Sequence, residues 1–231
     1  MKNKSQKYLL GLSLAALSLA TSASAAVVVS STTPTVDGGD QALITTTNLN
    51  GTGTKVYADA DNNFGQSFTT GSNVAGYEIT GFSFQSRTAS SAPPGTKTFS
   101  IRVGSIDGED FTTLRNETDH VQSGAWAVDD WWTFTFDTPV TLAANTLYGV
   151  DGEMTAASAS HTTGIPYFRF ASGSQYADGS KYSRADGDPA VISSTSATLD
   201  SVFHVNMTAV PEPSAALLGA LGFLALLRRR R

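Results

Sequence analysis

Trp131-Trp132-Thr133-Phe134-Thr135-Phe136-Asp137-Thr138-Pro139-Val140-Thr141-Leu142 is the stretch on which the reading of the fold turns. Trp132, Phe134 and Phe136 alternate with Trp131, Thr133 and Thr135. A period of two places successive side chains on opposite faces of an extended chain, so large rings on one phase and threonines on the other predict a half-buried strand. The alternation predicts Trp132 in the core. It predicts that Trp131 faces outward or into a loop groove.

The same grammar extends in both directions. Phe64, Gln66 and Phe68 alternate with small polar residues, and Phe99, Ile101 and Val103 share a face opposite Ser100 and Arg102. Phe203, Val205 and Met207 oppose Val202, His204 and Asn206, which predicts a solvent-facing His204 on the last strand. Between Tyr77 and Phe84 the parity changes, with Tyr77 and Ile79 on one phase and Phe82 and Phe84 on the other. Gly81 lies between them, where a bulge re-aims a strand. Turn clusters separate the runs: Asp37-Gly38-Gly39-Asp40, Pro93-Pro94-Gly95, Asp107-Gly108, Asp178-Gly179 and Asp186-Gly187-Asp188-Pro189. No amphipathic helix of convincing length interrupts them. The fold class expected is all-β, an antiparallel β-sandwich or jelly roll.

Gly65–Thr69, Tyr77–Phe84, Phe99–Val103 and the run from Trp132 to Leu142 lead on to Leu147-Tyr148-Gly149-Val150. This progression resembles the β-sandwich ectodomains of bacterial surface proteins whose anchors vary between relatives. The resemblance implies the fold and transfers no binding residue.

The two ends of the chain are of a different kind. Lys2, Lys4 and Lys7 precede a 12-residue apolar run from Leu9 to Ala20, and Ala23, Ser24, Ala25 and Ala26 follow. A basic start, a short apolar run and small residues make a secretory signal peptide, read here as residues 1–25. At the other end, residues 210–231 read VPEPSAALLGALGFLALLRRRR. Ser214 to Leu227 would form a helix of about 21 Å, against a hydrocarbon core of about 30 Å. Arg228, Arg229, Arg230 and Arg231 hold that end in the cytoplasm. Pro211 and Pro213 keep the backbone before the helix extended and within reach of a processing enzyme.

Val210, Pro211, Glu212 and Pro213, the short apolar helix and the terminal arginines together resemble the PEP-CTERM sorting signal, the recognition sequence of exosortases. That resemblance implies a bacterium with two membranes, transient anchoring in the inner one, cleavage near Pro211 to Pro213, and a final place at the cell surface or in extracellular matrix. It implies signal peptidase and exosortase as partners during export, and exopolysaccharide as a partner afterwards.

Residues 26–209 are left as the ectodomain. Three of the 15 basic residues lie in the leader and four in the tail, leaving 8 against 19 carboxylates, a net charge near −11. An acidic body repels nucleic acid and anionic lipid, which excludes both as partners. There is no cysteine, so stability rests on a core rather than on disulfides.

Asp59, Asp61 and Asn63 stand at alternate positions like the opening of a calcium loop, and form a candidate calcium site. Phe64 and Thr70 occupy the positions where an EF-hand requires glycine and glutamate, so that loop is excluded. The other reading is a solvated turn. Trp126, Trp131, Tyr176 and Tyr182 are candidate glycan contacts, since exposed rings make platforms for sugar faces. The competing reading has them covering sheet edges. The three histidines, His120, His161 and His204, lack metal-ligand spacing, and no G-x-S-x-G elbow or phosphate loop occurs. A non-enzymatic surface or matrix protein is expected, with carbohydrate binding as its sharper form. The alternative is a secreted polysaccharide hydrolase or lyase with a carboxylate site that the sequence does not mark.

Overall fold

The computed structural model describes residues 26–44, 49–55, 63–90, 96–157, 166–185, 188–196 and 198–212. The leader, Asp59, Asp61, His161, Pro213 and the tail with Arg228, Arg229, Arg230 and Arg231 lie outside the described residues.

Among the described residues, fourteen strands follow in chain order: β1 (Val28–Ser30), β2 (Gln41–Leu43), β3 (Leu49–Lys55), β4 (Phe64–Thr69), β5 (Tyr77–Gln85), β6 (Lys97–Asp107) and β7 (Asp110–Gln122); then β8 (Trp131–Leu142), β9 (Leu147–Ala157), β10 (Tyr167–Ser172), β11 (Lys181–Ala185), β12 (Asp188–Ser196), β13 (Leu199–Ser201) and β14 (Phe203–Ala209). The chain is all-β, and every paired strand runs antiparallel to its neighbour. One sheet has the order β1-β8-β5-β14-β2, a second has β13-β10-β3, and β11-β12-β7-β6-β9-β4 close into a barrel.

The alternation read along β8 holds. Trp132, Phe134 and Phe136 point to the core with Phe82 and Phe84 of β5 and Phe203, Val205 and Met207 of β14. Phe64 and Phe68 of β4, Phe99, Ile101 and Val103 of β6, and Val150 and Met154 of β9 belong to the same cluster. Rings from the five-stranded sheet and from the barrel interlock edge to face. Phe64 meets Phe84 at 5.0 Å and 84°, and Phe99 meets Phe134 at 5.5 Å and 74°. Each such pair adds about 0.5–1.5 kcal/mol to the burial of its surface.

The parity change in β5 is present, with a register break between Ile79 and Gly81. Towards β14 the surplus residue is Thr80 in β5, because Asn206 and Met207 pair with Gly81 and Ile79. Towards β8 the surplus lies in β8 instead: Gly81 pairs with Thr135 and Ile79 with Val140, so the bulge there runs through Asp137 to Pro139.

The barrel carries a second, small core of Phe111, Tyr182 and Ile192. Gly65 and Gly149 make room for it. A Cβ at Gly149 would stand 2.6 Å from Tyr182 Oη, and one at Gly65 would stand 2.8 Å from the same ring. Only residues without side chains let the ring lie flat on the backbone there.

Candidate functional site

The outward phase of the five-stranded sheet is polar and short-chained. Ser83 of β5 sits between Thr133 of β8 and His204 of β14, and Gly81 sits between Thr135 and Asn206 in the next row. The residues that alternate with the core phenylalanines therefore form two parallel rows across three strands. Ser83 Oγ and Thr133 Oγ1 are hydrogen-bonded at 2.8 Å.

The chain between β1 and β2 passes over this face and makes the second wall of a cleft. Ser30, Thr32, Thr33, Thr35 and Asp37 line it opposite Thr80, Ser83, Thr133, Thr135, His204 and Asn206. Its volume is about 520 Å³, within the range of about 300–1,000 Å³ typical of ligand sites. Among the described residues, Asp37 is the one carboxylate on its lining, and neither lysine nor arginine lines it.

One carboxylate holds the wall in place. Asp40 Oδ1 accepts the backbone N–H of Met207 at 2.8 Å, and Oδ2 accepts that of Asp37 at 2.8 Å. Oδ2 also pairs with His204 Nε2 at 2.9 Å. The turn itself closes through the Asp40 N–H to the Asp37 carbonyl at 3.0 Å. Gly39 lies so close to β14 that a Cβ would stand 2.6 Å from the Met207 carbonyl. His204 is therefore not the solvent-facing residue that alternation predicts. It does point to the outer face, but the 31–40 segment covers that face, and the ring is 5% exposed.

The four candidate glycan rings are also covered. Trp131 lies on the outward phase as expected, yet it is 1% exposed, so the strand is covered on both sides at this end. Trp126 is 4% exposed, packed at 5.0 Å and 78° against Trp132, with Lys97 Nζ 4.9 Å over its ring. Tyr176 is 9% exposed; its hydroxyl donates to Gln41 Oε1 at 2.5 Å and its ring meets Phe203 edge-on at 5.0 Å. Tyr182 is 1% exposed inside the barrel. These rings are packing residues, and the expectation that they stand exposed is corrected.

Asn63 is the described member of the candidate calcium trio. It is buried, and its Oδ1 accepts the backbone N–H of Arg184 at 2.9 Å, joining β4 to β11. Among the described residues, no group of three or more histidines and carboxylates is placed to hold a metal ion.

A charged group fills the barrel beside Tyr182. Asp151 is contacted by Arg184 Nε at 3.0 Å, by Arg102 Nε at 3.3 Å and by the Tyr182 hydroxyl at 3.0 Å. Arg102 also donates to Glu153 at 2.6 Å. Burial pushes the Asp151 carboxyl up, against the opposing pull of the two guanidiniums. It pushes the Tyr182 hydroxyl up as well. The two carboxylates of this group are bound to arginines rather than facing each other across a groove.

The hydroxyl rows escaped the sequence reading although their signal was present. Ser83, Thr133, Thr135, His204 and Asn206 are the alternate members of the runs that named the core. No protein-family profile matches the chain, and no curated protein matches it.

Proposed function

We propose that the chain is an exported, exosortase-sorted, non-enzymatic protein of the cell surface or extracellular matrix, associated with exopolysaccharide. Its body is a β-sandwich of jelly-roll type, a reading supported by the interlocking of rings from the five-stranded sheet with rings from the barrel. The observation that carries the proposal is the match between the paired region and the two trimming points. Among the described residues, pairing starts at Ala26, which bridges to Val121, and at Val27, whose N–H donates to the Val121 carbonyl at 3.1 Å. At the other end β14 runs to Ala209, and Val210 is tied in directly after it. Its N–H donates to the Gly76 carbonyl at 3.0 Å and its carbonyl accepts Asn73 Nδ2 at 2.9 Å. Pro211 and Glu212 then stand exposed. Trimming at these points would keep each of these bonds.

Fractionation of a bacterium carrying the tagged full chain, with and without its exosortase, tests the proposal. The expected result is a trimmed chain in the matrix or surface fraction when exosortase is present, and an untrimmed chain in the membrane when it is absent. A chain retained in the cytosol with its leader uncut would overturn the proposal.

A further inference from the structure

We infer that the cleft between the 31–40 segment and the outer face of β5, β8 and β14 binds a neutral, polyhydroxylated chain, the chemistry of an uncharged exopolysaccharide segment. The inference deepens the function proposed above and rests on it.

The first argument is the pattern of polar groups. Along a strand, residues on one face repeat every ~7 Å, and neighbouring strands lie ~4.8 Å apart. Thr133, Thr135, Ser83 and Asn206 thus form a grid of hydrogen-bonding groups, with a gap at Gly81 where no side chain rises. Ser30, Thr32, Thr33 and Thr35 face them from the other wall. A hydroxyl both donates and accepts, so two hydroxyl walls match a ligand whose own hydroxyls do the same.

The second argument is charge. Among the described lining residues there is no lysine or arginine; Asp37 stands on the lining, and Asp40 meets the lining residue His204. With the body near −11, an anionic polymer would meet repulsion everywhere and no compensating cation in the cleft. Nucleotides and uronate-rich chains are disfavoured on the same ground.

Third, the site is held ready. One wall is carried on paired strands, and the other is tied to β14 by two bonds of Asp40, with a third closing its own turn. A cleft that does not have to be ordered on binding loses less affinity to entropy. Phe82 lines the cleft but its ring belongs to the core, so contact rests on hydrogen bonds. A single site of this kind binds weakly, and repeated engagement along a polymer supplies the avidity.

The test uses the full chain in a non-glycosidic detergent, with dextran, a neutral galactomannan and a polyuronate as probes, and with short oligosaccharides of each neutral polymer. At least one neutral polymer is expected to bind, more tightly than its oligosaccharide. Thr135→Val and Asn206→Ala, both at exposed positions, are each expected to weaken that binding about three- to tenfold, the effect of one lost hydrogen bond. Thr113→Val, on the exposed side of β7, is expected to leave it unchanged. Equal binding by the cleft variants and wild type would overturn the inference, as would equal binding of the polyuronate or no binding of any neutral polymer. Each of these results would leave the matrix assignment standing, since cell fractionation decides that separately.

Discussion

Asp40 and His204 are 164 positions apart in the chain and meet at 2.9 Å, fastening the segment before β2 to the second residue of β14. The same carboxylate accepts two backbone N–H groups, so a single side chain serves one buried histidine and two backbone donors.

Asp40→Asn is expected to lower stability by about 2–4 kcal/mol. It replaces an acceptor-only carboxylate by a group with a single accepting oxygen, leaving buried donors unmatched. Thermal melting gives the magnitude, and hydrogen exchange across residues 31–39 should rise more than in the barrel strands. A uniform rise across the domain would contradict the latch role.

His120 makes stability depend on pH. The ring is fully buried with Nε2 3.4 Å from Glu117, and burial lowers its pKa below the ordinary value of 6.5 against the opposing pull of Glu117. Above about pH 6.5 the ring is neutral in both folded and unfolded chains and costs nothing. As the pH falls below that value the unfolded chain takes up a proton that the folded one resists. Stability is then lost at up to about 1.4 kcal/mol per pH unit. Urea titrations between pH 7.5 and pH 5, which take in about 1.5 units below the ordinary value, should show this slope in the wild type. His120→Leu should flatten it.

The charged group in the barrel predicts a graded series. Tyr182→Phe removes the hydroxyl that donates to Asp151 and is expected to cost about 1–2 kcal/mol. Arg184→Met removes the closer guanidinium from a fully buried carboxylate and is expected to cost about 3–5 kcal/mol. Chemical denaturation resolves the two. Equal losses would mean that the carboxylate finds a substitute partner.

Trp131→Ala separates packing from recognition. With the ring fully buried, the substitution is expected to cost about 3–5 kcal/mol in unfolding free energy. All three tryptophans should give blue-shifted emission that iodide quenches poorly. Easy quenching of wild-type emission would contradict their burial.

Much of this was legible in the residues. The ring phase of Trp132, Phe134 and Phe136 gave the strand, its buried face and the all-β class, and Gly81 marked where β5 changes parity. Alternation fixes only which way a side chain points, however, and not whether something lies over it. For that reason His204 was expected in solvent and Trp131 outward or in a loop groove, and both are covered. Tyr182 was misplaced for a different cause: the space that swallows its ring is created by Gly65 and Gly149, which are more than 110 and more than 30 positions away. The Asp40 latch depends on a contact across most of the domain, and no local pattern announces such a contact. The cleft followed from the polar phase of the same runs, which drew less attention than the aromatic one.

The position of β14 has a kinetic consequence. Residues 203–209 form an inner strand of their sheet, hydrogen-bonded to β5 on one side and β2 on the other. Phe203, Val205 and Met207 supply part of the main core. Until the chain has been delivered to its last strand, β5 keeps an open edge and its rings lack their cover. Long-range pairing of this kind is slow to form. A chain threaded through a channel from its N-terminus would therefore stay unlatched for the whole passage and set only when residue 209 arrives. Late closure keeps the polypeptide threadable, and it also exposes an unpaired strand edge to neighbouring copies throughout that interval.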